Sequence, residues 1–158
     1  MSYAADDFTL TTDAFLDAGA LPVMYTCDGK DLSPSFSWSN PPAKTQTYAI
    51  LVSDPEAPNG MWYHWVIYNI PKTATGLTEG MKDFPAGTME GKNSWGKMGY
   101  NGPCPPKGTA HTYHYDFFVL DAKLKLPQDA NGAALLLAMK GHVLKKVEMT
   151  TVYSRWLK

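Results

Sequence analysis

GYNGPCPPKGTAHTYHY, residues 99–115, changes character halfway along. Pro103, Pro105 and Pro106 fix φ and remove backbone donors, while Gly99, Gly102 and Gly108 allow positive φ, so the first half cannot enter a regular ladder. The second half alternates. His111, Tyr113, Tyr115, Phe117 and Val119 fall on one face of a strand by the period-two rule. A stiff, donor-poor loop thus delivers a His-x-Tyr pair onto one face of a sheet, an arrangement suited to fixing a small pocket. The plainer reading is a Pro/Gly turn between strands, with His111 and Tyr113 capping a core. These residues alone leave both open.

Working outward, the strongest strand signals are Thr47–Ser53 (TYAILVS), Trp62–Ile70 (WYHWVIYNI) and Thr112–Asp121, all rich in β-branched and aromatic residues. Phe8, Leu10 and Thr12 predict an opening strand and Leu21–Thr26 a second. Phe36 and Trp38 alternate with serines in a short strand stopped by Asn40-Pro41-Pro42. Cys27–Pro34 reads as a turn around Asp28-Gly29, and Lys72–Met98 as long surface loops with one short strand. Asn131–Val147 predicts a helix: Asn131 is an N-cap, Leu136, Met139, Val143 and Val147 share a face, and Lys145 and Lys146 sit near the C-terminal dipole end. A final strand is expected over Glu148–Trp156. Several strands with one or two late helices predict a mainly β fold, a sandwich of two antiparallel sheets with one or two peripheral helices near the C-terminus, in a single domain over residues 1–158.

Composition narrows the function classes. At 158 residues the chain can bury a core, and 44% apolar against 18% charged residues is a globular balance. A formal net charge of -1, without a Lys/Arg cluster, argues against a nucleic-acid partner. No segment approaches the roughly 18–20 apolar residues that span a bilayer. The two cysteines, Cys27 and Cys104, do not make a disulfide framework and read as reduced thiols of a cytoplasmic protein. The acidic start MSYAADDFTL has neither the basic nor the apolar region of a signal peptide, though a processed periplasmic form stays open.

Chemistry concentrates at two proline-stiffened loops. Asp54 ends one strand, His64 opens the next, and Pro55 and Pro58 stiffen the connection. If the strands pair, Asp54 and His64 meet at one sheet end. Alone, Asp54 could be an Asx-turn residue and His64 a satisfied core histidine. Together with His111 and Tyr113 they form a polar group at strand ends.

Five stretches at this point resemble the phosphatidylethanolamine-binding protein family, in its bacterial, Raf kinase inhibitor-like branch. They are DPEAP (54–58), MWYHWVIYNIP (61–71), NSWGKMGYNGPCPPKG (93–108), HTY (111–113) and GHVLKKVEMTTVYSR (141–155), in the family's order. The resemblance implies two antiparallel sheets with a small anion pocket at one end. It implies a ligand site at Asp54, His64, Gly102, Cys104, Pro106, His111 and Tyr113. It also implies a phosphorylated small molecule or phospholipid head group as ligand, with no cofactor and no catalytic residues. A kinase or protease partner and a homodimer are further expectations. Imidazoles, a phenol and loop amides near Gly102 are donors a phosphate requires, and Asp54 suits orienting a histidine better than meeting the anion. Glu56 stands for the usual second Asp, and Thr112 for the usual Arg of HRY, removing a cation and a pairing that could position the loop. Lys107 reads as a solvated lysine.

Other classes stay in view. Cys104, His111 and Asp54 could imitate a Cys-His-Asp hydrolase, although Cys104 lies between prolines and not at an activating helix N-terminus. Asp54, His64 and His111 could hold a metal as a two-His-one-carboxylate set, although nothing in the spacing requires one. A structural or oligomeric protein with a vestigial pocket is the third class.

Overall fold

A computed structural model describes residues 7–156. The leader-free reading of the chain start falls mostly on residues 1–6, outside them. Two sheets form the fold. The smaller contains β1 (Thr9–Thr11), β3 (Phe36–Ser39) and β6 (Gly76–Leu77) in the order β1-β3-β6. The larger adds β2 (Gly19–Ala20), β4 (Thr47–Asp54), β5 (Trp62–Pro71), β7 (Met89–Glu90), β8 (Thr109–Leu120) and β9 (Val143–Arg155), in the order β2-β9-β8-β4-β5-β7. Every pairing in it is antiparallel except β2 with β9. No helix among the described residues is long and apolar enough to cross a membrane.

The large sheet is covered on both faces, which explains why all eight residues of β4 are buried. Tyr48, Ile50 and Val52 face the small sheet and share a core with Phe36, Trp38 and Phe117. Ala49 and Leu51 face the other way, against Leu124, Leu135 and Met139. Aromatic rings join the two sheets: Trp38 lies 4.8 Å from Phe117 and 5.1 Å from Tyr48 between centroids. Each such pair contributes roughly 0.5–1.5 kcal/mol beyond its buried area. The β8 face predicted from alternation is realised, with His111, Tyr113, Tyr115, Phe117 and Val119 all buried.

Several boundaries differ from expectation. The helix α1 covers Gly132–Met139, not Asn131–Val147. Asn131 does cap it, its Oδ1 accepting from the Ala134 N–H at 2.9 Å. Gly141 at φ +83 then turns the chain back, and Val143 already pairs with Leu120. The helical spacing of Val143 and Val147 was coincident with a strand pattern, Val147-Met149-Thr151-Tyr153, that faces the core. Lys145 and Lys146 are therefore strand residues, so β9 starts well before Glu148. Leu21–Thr26 is a 3-10 turn over Val23–Tyr25 and not a strand, because Pro22 starts it and the Thr26 N–H returns to the Val23 carbonyl at 3.0 Å. The Lys72–Met98 region holds two short strands, β6 and β7, and not one. All peptide bonds described, including those before Pro55, Pro58 and Pro106, are trans.

The reduced-thiol reading is also overturned. Cys27 and Cys104 form a disulfide across 77 residues of sequence, with Cα atoms 5.4 Å apart. Two thiols so distant in sequence carry no pairing signal; the turn after Val23–Tyr25 brings them together. A cross-link closing a loop of this length stabilises by roughly 4 kcal/mol in the chain-entropy account. We expect Cys27→Ala/Cys104→Ala to lose about 2–5 kcal/mol in denaturant titration while keeping its far-UV spectrum. An unchanged midpoint would contradict a structural role for this bond.

Candidate functional site

The strand ends of β4, β5 and β8 place three polar side chains together. Asp54 is the last residue of β4, His64 the third of β5 and His111 the third of β8. All three are buried, and with Tyr113, Cys104 and Pro106 they line a cavity of about 300 Å³. Six of the seven expected site residues therefore share one cavity. Trp62, Trp95 and Asn59 also line it.

Asp54 fills both roles that its position suggested. Its Oδ1 accepts from the Glu56 N–H at 2.8 Å, an Asx turn, while Oδ2 accepts from His111 Nδ1 at 2.7 Å. His64 is held from the other side: its Nδ1 donates to the Asn101 carbonyl at 2.7 Å, since a carbonyl has no proton to give. The His64 ring packs edge-on against Trp95 at 5.0 Å and Tyr113 at 5.3 Å. Burial holds the His64 imidazole below its ordinary range, partly opposed by the Asn101 carbonyl and the Asp54 charge. Burial, then the Asp54 charge, push the Tyr113 phenol far above its ordinary range, so it stays a hydroxyl donor. Asp54 thus orients His111 through Oδ2 while Oδ1 closes the turn that follows β4.

The loop from Gly99 to Gly108 is fixed from outside. Buried Asn93 donates through Nδ2 to the Gly99 carbonyl at 3.0 Å and to Asn101 Oδ1 at 2.7 Å. Its Oδ1 accepts from the N–H groups of Trp95 and Lys97, at 3.0 and 3.1 Å. The Tyr100 hydroxyl donates to the Tyr25 carbonyl at 2.8 Å, and the Cys27 N–H to the Pro103 carbonyl at 3.1 Å. Arg155 reaches the Pro105 carbonyl at 3.4 Å and Asp28 at 3.0 Å. The Thr112 backbone N–H donates to Glu56 Oε1 at 3.2 Å, tying the β4–β5 connection to β8.

Two expectations change here. Gly102 does not line the cavity, and its N–H is donated to Asp31 Oδ1 at 2.7 Å, so that amide is not presented to a ligand. Cys104 lines the cavity as half of a disulfide, which removes it as the thiolate nucleophile of a Cys-His-Asp hydrolase. Lys107 is exposed and outside the lining, as its Pro-Lys-Gly setting suggested. The sequence reading missed Trp95 and Asn93 because it took Lys72–Met98 as surface loops. The signal was Asn93-Ser94-Trp95-Gly96, an Asx residue before a glycine, which marks an ordered turn.

Gly102 is required for space. A Cβ there would lie 2.1 Å from the Tyr25 carbonyl oxygen and 2.6 Å from Asp31 Oδ1. Gly102→Ala is expected to lower stability by about 2–3 kcal/mol and to displace the pocket wall. A variant as stable as the parent in thermal and chemical unfolding would contradict this packing.

Comparison with known proteins agrees with the geometry. The phosphatidylethanolamine-binding protein family profile matches residues 11–154. A UPF0098 protein of Methanothermobacter thermautotrophicus is 43% identical over 149 residues, covering 92% of this chain and 98% of its own. A UPF0098 protein of Aquifex aeolicus is 38% identical over 148 residues, covering 90% and 85%. Among solved structures, E. coli YbcL, described as a new member of the mammalian PEBP family, aligns with TM-score 0.88 and 30% identity over 96% of this chain and 99% of its own. The PEBP homolog CT736 from Chlamydia trachomatis aligns with TM-score 0.85 and 32% identity, over 94% and 97%. With the two-sheet fold, the strand-end histidines and a profile match over nearly its whole length, the chain belongs to the phosphatidylethanolamine-binding protein family.

Proposed function

We propose that this protein is a binding module for a small phosphate-like anion, on a phosphorylated small molecule or a phospholipid head group, and that it turns nothing over. One observation carries the reading. His64 and His111, each anchored through Nδ1, flank a single cavity that also holds the Tyr113 hydroxyl. The one sulfur lining the cavity is in a disulfide, so it offers no thiolate nucleophile. Modulation of a kinase or protease is a finer form of the same reading: a phosphorylated segment of that partner would enter the same cavity. The disulfide favours an oxidising compartment over the cytoplasm as the working place.

Each imidazole would contribute a charge-assisted hydrogen bond of roughly 1.5–3 kcal/mol. His64→Ala and His111→Ala are therefore each expected to weaken methyl phosphate binding by about 10- to 100-fold in calorimetric titration. Cooperative thermal unfolding should persist in both. Unchanged affinity in both variants would overturn the assignment of the pocket. Cys104→Ser, by breaking the bond to Cys27, should lower the unfolding temperature as well as affinity.

A further inference from the structure

We propose that His114, Asp116 and Glu148, on the face of the large sheet turned away from the pocket, form a binding site for a divalent cation of the zinc type. The strand pattern builds it. His114 and Asp116 stand two apart on β8, so they share a face, and it is the face opposite His111 and Tyr113. On β9, Glu148 is the register partner of Asp116, directly across the ladder. One donor atom from each of the three lies within 4.8 Å of the others, and His114 Nδ1 stands 3.1 Å from Glu148 Oε2. Ligands about 2.1 Å from one ion stand roughly 3–3.5 Å apart, so that edge already has the spacing of a coordination shell. Rotation of the exposed Glu148 side chain closes the remainder.

Two features call for positive charge here. Like charges directly opposite on a ladder repel, and two ionised carboxylates cannot bond each other, because both only accept. Asp116 is also sunk into the sheet. β8 runs between β4 and β9, Leu51 of β4 is the other register partner of Asp116, and the residue is left only 9% exposed. Its Oδ1 is buried and receives no hydrogen bond. A buried carboxylate oxygen without a donor is costly and rare, and a bound cation would satisfy it. Neighbouring side chains do not. The Lys146 Nζ stands 3.9 Å from Oδ2, beyond hydrogen-bond reach, on a half-exposed side chain that lies over the Phe118 ring. His114 Nδ1 meets Glu148 and not Asp116.

The donor set selects the ion. One imidazole and two carboxylates suit zinc, which takes nitrogen and oxygen in a shell of four. Magnesium and calcium want six or more oxygens, which this face does not gather. His114 and Glu148 both reach solvent, so water can complete the shell. On binding, the proton on His114 Nδ1 leaves to solvent and Nε2 keeps the one proton of the neutral ring. The site shares no residue with the anion pocket and stands or falls apart from it.

The test is calorimetric titration of the full chain with zinc chloride, and separately with magnesium chloride, at pH 7.5 in Hepes. One zinc per chain should bind, with a Kd of about 10 μM or tighter, and magnesium at least about a hundredfold more weakly. His114→Ala, Asp116→Asn and Glu148→Gln should each weaken zinc at least about tenfold while cooperative thermal unfolding persists. Asp116→Asn keeps the shape of the buried side chain, and the other two changes lie near the surface, so a loss of binding does not reduce to a loss of fold. The pocket variant His64→Ala/His111→Ala should bind zinc as the parent does. No zinc binding up to about 1 mM would overturn the site. So would equal affinity in the parent and all three variants, or loss of binding confined to the pocket variant.

Discussion

A loop containing Pro103, Pro105 and Pro106 has few backbone donors and cannot hold its own shape. Everything at the pocket depends on how other parts of the chain hold it. Asp31 takes the Gly102 N–H, Tyr25 takes the Tyr100 hydroxyl, Asn93 grips Gly99 and Asn101, and the disulfide anchors Cys104. These partners lie far apart in sequence, so the shape of the loop depends on long-range contacts. In return it places the Asn101 carbonyl 2.7 Å from His64, which fixes the tautomer of a buried histidine. Fold and chemistry are joined at that bond.

Asp54 does the corresponding work for His111, and the chain around it explains why. As the final residue of β4 it is buried by the sheet, yet its strand has ended, so Oδ1 is free to cap the Pro55 turn. Oδ2 is left for the ring. The two histidines thus reach one cavity with their orientations set by unlike partners, a neutral carbonyl and a carboxylate.

Much of this was legible in the sequence where a physical rule acts locally. β4, β5 and β8 announced themselves through β-branched and aromatic runs, and period-two alternation put His111 and Tyr113 on the buried face. The clustering of Asp54, His64 and His111 followed from their places at strand ends. What stayed hidden depends on distant contacts. Nothing local to Cys27 or Cys104 tells that the Val23–Tyr25 turn brings them within 5.4 Å. The Gly102 amide faces Asp31 rather than the cavity because of a contact 71 residues away. The overlong helix was a different failure: Gly141 was a readable stop, but the 3.6-residue period happened to continue through a strand that β8 recruits.

The central claim is that both imidazoles are pinned at Nδ1, leaving Nε2 for the ligand. Nitrogen-15 NMR of the histidine side chains measures this directly. In the free protein at pH 7.5, His64 should show a protonated Nδ1 and an unprotonated Nε2, and saturating methyl phosphate should shift the Nε2 resonances of both His64 and His111 while Nδ1 changes little. A His64 protonated at Nε2 in the free protein, or Nε2 resonances of both rings unmoved by bound ligand, would contradict the account.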